Sequence, residues 1–161
     1  MVTCLRWCCV LGLVTAMFVL PVLAQDSKTT KQIVFVCEHG AAKSIIAAAH
    51  FNKLAEERGL PQRAIARGTN PDENFAPAVL AGLQKDGLKA PAGKPTKVTL
   101  ADVVAADRVV TMGCALPQEK AAPNKVSDWA DISSPSKSYD AARNDIVRHI
   151  TELVDQLSKE R

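Results

Sequence analysis

The residues best suited to chemistry lie between Cys37 and Ser44. Cys37 ends the continuous apolar run Gln32-Ile-Val-Phe-Val-Cys37, and Ser44 opens an alanine-rich stretch. A strand, a tight loop and a helix start in that order aim successive backbone N–H groups inward, and the helix dipole adds partial positive charge. Glu38, His39, Gly40, Ala41 and Ala42 make the turn, and the last three are small enough for the backbone to wrap a tetrahedral oxyanion. Lys43 is placed to supply a full positive charge. The same field favours a thiolate at Cys37, and a thiolate beneath a bound oxyanion is a poised nucleophile. His39 could hydrogen-bond a ligand, respond to pH or face solvent. Glu38 is awkward beside an anion and is expected to point outward.

The elements that must position this loop follow from periodicity. A β-branched run without alternation predicts a first strand at 32–37 buried on both faces. Ser44 is a favourable N-cap for a helix over 45–58, which Gly59 closes. A weak second strand at 63–67, a turn at Asn70-Pro71-Asp72 and a helix over 76–86 ended by Gly87 repeat the unit. Thr99, with Asp102 three residues on, resembles a capping box before a short helix. A third strand is expected at 107–112 and a fourth around 125–130. The last helix, 139–159, carries Ile146, Ile150, Leu153 and Leu157 at core-facing spacing, with Val147 and Val154 widening the stripe. Alternating strands and helices imply an α/β three-layer sandwich, a four-stranded parallel sheet with helices on both faces. Ligands of such sheets bind beyond the carboxyl ends of the strands. Cys37 and Cys114, which follows the third strand by two residues, both belong on that rim.

Residues 1–24 read as an export signal: Arg6, then an apolar run over 10–23 short of a comfortable membrane span, with Val22-Leu23-Ala24 at the cleavage positions. The mature protein is expected to start near Gln25, to form one domain over 25–161, and to be periplasmic or secreted without being membrane-embedded. Cleavage leaves 19 basic against 17 acidic residues, with no basic run and few aromatics, which argues against nucleic acid as a partner. Of 5 cysteines, Cys4, Cys8 and Cys9 leave with the signal. In an oxidising compartment Cys37 and Cys114 could form a structural disulfide, although the setting of Cys37 argues for another use of its sulfur. His50 and His149 fall within helices and are not spaced with other ligands, so no metal and no cofactor is expected. Trp129 and Tyr139 are candidates for the pocket mouth, with core packing the alternative for the tryptophan.

Ile33-Val-Phe-Val-Cys37, a five-residue loop, a basic residue, Ser44 and an alanine-rich helix resemble the signature of low-molecular-weight protein tyrosine phosphatases and the related thioredoxin-coupled arsenate reductases. The resemblance extends over Arg67-Gly68-Thr69-Asn70-Pro71 and Val109-Val-Thr-Met-Gly-Cys114. It implies that Cys37 is the nucleophile and that the Ser44 hydroxyl stabilises its thiolate. Lys43 falls where that family has arginine, so the charge is kept and the bidentate fork is lost. The family's general acid is an aspartate before a proline, whereas here Ser134 precedes Pro135. Asp131 is then the candidate acid, with Asp128 an alternative. Cys114 stands where some arsenate reductases carry a resolving cysteine, while residues 115–122 hold no further one. The implied function is hydrolysis of a phosphomonoester or phosphotyrosine through phosphocysteine. The alternatives are arsenate reduction by Cys37, Cys114 and an external thiol, or oxyanion binding without catalysis. The expected partner is a small oxyanion or phosphorylated substrate.

Overall fold

The computed structural model describes residues 31–160, so the expected export signal lies outside the described residues. Four parallel strands, β1 (Gln32–Cys37), β2 (Arg63–Gly68), β3 (Arg108–Thr111) and β4 (Val126–Asp128), lie in the order β2-β1-β3-β4. Helices α1 (Lys43–Glu57), α2 (Pro77–Lys85), α3 (Leu100–Ala105) and α4 (Tyr139–Lys159) complete the α/β sandwich. No helix among the described residues is long and apolar enough to cross a membrane.

Because β1 is flanked on both edges and covered on both faces, its side chains alternate between two apolar layers. Ile33, Phe35 and Cys37 join Val79 of α2 and Ile146, Ile150 and Leu157 of α4 in the larger core. Val34 and Val36 join Val103 of α3 in the smaller one. Strand alternation therefore sends the Cys37 side chain to the face that α1 covers. Along α4 the expected stripe is buried at Ile146, Ile150, Leu153, Val154 and Leu157, while Val147 is only half-buried.

Local chemistry explains most element boundaries. Thr99 and Asp102 form the expected reciprocal capping box at α3, with Asp102 N–H donating to Thr99 Oγ1 at 3.1 Å. Pro77 occupies the first turn of α2, where its missing N–H costs nothing. The start of α1 differs from expectation: the helix begins at Lys43, Ala42 is its cap residue, and no side chain caps it. Ser44 lies inside the first turn with its side chain turned into the buried interior, so its hydroxyl is committed elsewhere.

Three elements are tied together by Asp86, just past the end of α2. Its carboxylate accepts from Tyr139 Oη at 2.7 Å and from Arg143 at 3.0 Å, and His50 Nε2 of α1 stands 3.4 Å away. Burial, partly offset by Asp86, holds the His50 pKa below its usual value. Tyr139 is thus a tie between α4 and α2, packed against Gly82, and does not flank the Cys37 pocket.

Candidate active site

Cys37 is the last residue of β1, nearly fully buried, and its Sγ lies 3.3 Å from Ser44 Oγ in a hydrogen bond. The loop between them is shaped from outside. Thr69, Asn70, Asp72 and Ala76 donate their amides to the carbonyls of Cys37, Glu38, His39 and Ala41 at 2.8–3.1 Å. With those carbonyls drawn toward the 69–76 segment, the N–H groups of residues 38–45 have no acceptor among the described residues. A run of backbone donors around a helix start is suited to bind an anion. The small residues serve this geometry unequally. Gly40 has φ +62° and touches Gly68 backbone to backbone, Ala41 is buried, and Ala42 lines the opening.

A cavity of about 250 Å³ opens over the sulfur. Cys37, Glu38, His39, Ala42 and Lys43 form one side; Met112, Gly113 and the Ser134-Pro135-Ser136 turn form the other. Lys43 lines it without an ion-pair partner among the described residues. Glu38 and His39 are about half to two-thirds exposed, and His39 Nδ1 lies 3.1 Å from Asp72 Oδ1. The imidazole is thereby oriented at the cavity rim.

The structure does not bring Asp131 to this cavity. Its carboxylate faces α4, 3.0 Å from Arg148 and 2.8 Å from His149 Nε2, and it is not among the lining residues. The hydrogen bond from Arg148, followed by that from His149, holds its pKa below the usual carboxylate range. A group kept ionised in this way is poorly suited to donate a proton. Asp128 is committed as well, accepting from Thr111 Oγ1 at 2.7 Å and from the Gly113 amide at 3.0 Å. It braces the turn that forms the far wall. Trp129 packs into the core against Phe35 and stacks on His149 with ring centroids 4.8 Å apart.

Cys37 and Cys114 are not joined in a disulfide. The Cys114 thiol donates to the Val36 carbonyl at 3.6 Å, one residue before Cys37 in chain order. Burial, with further contributions from Cys37, Asp128 and Glu38, pushes its pKa above that of an ordinary thiol. Sequence reasoning did not identify Gly68, Asn70, Asp72 and Ala76 as shapers of the loop. The signal for Gly68 was its glycine after a strand; the others contribute backbone amides, which carry no residue-type signature.

These features agree with what is known of other proteins. Residues 32–126 match the family model for low molecular weight phosphotyrosine protein phosphatase. No curated protein matches significantly. Among solved structures, YfkJ from Bacillus subtilis superposes with a TM-score of 0.72 at 18% identity, over 83% of this chain and 98% of that one. The YwlE arginine phosphatase from Geobacillus stearothermophilus gives 0.67 at 22% identity, over 81% and 94%. An arsenate reductase from Archaeoglobus fulgidus DSM 4304 gives 0.62 at 30% identity, over 76% and 98%. A cysteine at the end of the first parallel strand, a donor-rich loop wound into the first helix and a matching model over most of the domain lead to one assignment: the chain belongs to the low molecular weight phosphotyrosine protein phosphatase family.

Proposed function

We propose that this protein is a cysteine-dependent phosphomonoesterase acting through phosphocysteine, with aryl phosphates such as phosphotyrosine as its substrate class. The observation that carries this reading is the buried Cys37 sulfur, 3.3 Å from Ser44 Oγ, beneath a loop whose amides have no acceptor among the described residues. In the first step the Cys37 thiolate attacks phosphorus. An S–P bond forms while the bond to the leaving oxygen breaks, and that oxygen takes the electron pair and then a proton. The loop amides and the Lys43 ammonium bear the charge on the transferring phosphoryl oxygens. In the second step water attacks phosphorus, phosphate departs, and the electron pair returns to sulfur, where the Ser44 hydroxyl donates to the thiolate.

Ser134, and not an aspartate, precedes Pro135 at the cavity wall, so leaving-group protonation is the weak part of this mechanism. Aryl leaving groups, which need less protonation, are favoured for that reason. The sequence before residue 25 supports a further reading, that the mature enzyme works outside the cytoplasm.

A second reading is arsenate reduction. The position of Cys114 beside the Val36 carbonyl supports it, as does likeness to an arsenate reductase at 30% identity. The Cys37 thiolate would displace one arsenate oxygen as water to form an S–As(V) bond, and the Cys114 thiolate would then attack the Cys37 sulfur and break that bond. Arsenic would leave as arsenite with two electrons, and an external dithiol would reduce the resulting disulfide. One experiment separates the readings: aryl phosphate hydrolysis and arsenate-dependent thiol consumption measured across pH, with Cys37→Ser as the blank. Hydrolysis lost in Cys37→Ser and retained in Cys114→Ala supports the phosphatase. Thiol consumption lost in both variants supports the reductase, and phosphate binding with neither activity would leave a binding protein.

A further inference from the structure

On the other side of the Gly40 turn from Cys37 lies a second cavity of about 250 Å³, between α1, the outer edge of β2 and the 89–96 segment. Its floor is apolar, formed by Ala48, Ala49, Ala66 and Phe75. Among the described residues, no acidic side chain lines it. Three cations do, but Arg67 is spent on Asp102, which it contacts at 3.1 and 3.2 Å. Lys89 and Lys94 at the rim have no ion-pair partner among the described residues.

The edge of β2 adds a donor. The Ala64 amide gives its hydrogen bond to Asn52 Oδ1 at 2.7 Å, and the Gly68 amide gives its own to the Thr96 carbonyl at 2.9 Å. The Ala66 N–H points the same way by strand alternation and has no acceptor among the described residues. Its carbonyl is taken by Arg67 at 3.0 Å. An added β-strand needs consecutive open positions, and both flanking positions are occupied, so an extended peptide does not fit this edge. What fits is one acceptor carrying negative charge, attached to a short apolar body. The cavity holds roughly eight water-sized groups, which sets the size of that body.

We propose that this cavity is a second binding site, separate from the one at Cys37, for a small organic anion. Its carboxylate accepts from the Ala66 N–H and faces Lys89 and Lys94, and its apolar body lies on Ala48, Ala49 and Phe75. The proposal does not depend on the activity assigned to Cys37.

The test is a titration of the ¹⁵N-labelled chain with 3-phenylpropanoate, compared with uncharged 3-phenylpropanol and with inorganic phosphate. The expected result is a saturable shift of the Ala66 amide with the carboxylate only, while phosphate moves the amides of residues 38–45. Lys89→Ala combined with Lys94→Ala should weaken the carboxylate about tenfold, the loss expected of two partly exposed charges. Ala49→Leu, which fills the floor, should abolish the Ala66 response and leave the phosphate response intact. Shifts confined to residues 38–45, equal binding of the alcohol, or a Kd unmoved by either variant would each overturn the proposal.

Discussion

Gly40 and Gly68 meet backbone to backbone: a Cβ on Gly40 would stand 2.9 Å from the Gly68 nitrogen, and one on Gly68 would stand 2.8 Å from the Gly40 nitrogen. Neither neighbour is a flexible side chain that could swing away. This contact seats the loop over the end of β2, and the amide bonds from 69–76 then draw its carbonyls outward. Gly40→Ala also places an L-residue at φ +62°. Each single alanine variant is expected to cost about 1–3 kcal/mol in urea unfolding and to weaken phosphate binding. Wild-type stability with unchanged phosphate affinity in either variant would refute this account of the loop.

Lys43→Arg should raise kcat on an aryl phosphate about tenfold, since a planar fork replaces a point charge that has no ion-pair partner among the described residues. Its companion observation is the leaving-group series. Without an acid poised at the Ser134-Pro135 turn, kcat/KM should fall steeply as the leaving phenol becomes less acidic. A flat series would show that some cavity group does protonate the departing oxygen.

Asp131→Asn should leave kcat within about twofold, compared with the ~10²–10⁴-fold loss expected of a general acid. Its effect belongs to stability. Because Arg148 and His149 depress the folded pKa, the contribution is present above the unfolded pKa of about 3.9 and disappears as pH falls through the folded value. Unfolding measured at neutral pH should therefore distinguish the variant from the parent, and unfolding at strongly acid pH should not. A large kcat loss with unchanged stability would return Asp131 to the catalytic machinery.

Cys114 should alkylate with iodoacetamide more slowly than an ordinary exposed thiol at neutral pH, because burial raises its pKa and keeps the thiolate scarce. Its rate should climb only at pH well above that needed for a free thiol. Bound phosphate should protect Cys37 and leave Cys114 unaffected, as followed by mass spectrometry of the two peptides. Rapid labelling of Cys114 at neutral pH would contradict its burial.

The sequence by itself determined the order of strands and helices and the place of Cys37 at the end of the first strand. The β-branched run 32–37 read as a strand covered on both sides, the stripe from Ile146 to Leu157 as an amphipathic helix and Thr99 with Asp102 as a capping box, and all three form. Those patterns are local, so residue type and spacing are enough to read them. Tertiary structure decided what the polar groups do. It turned Ser44 from a cap into the sulfur's partner, gave Asp131 to Arg148 and His149, set Asp128 to brace Gly113, and paired Gly40 with Gly68 across twenty-seven intervening residues. Each outcome depends on which strand lies beside which and on where a helix face ends, and a hydroxyl or carboxylate takes whichever partner burial leaves within about 3 Å.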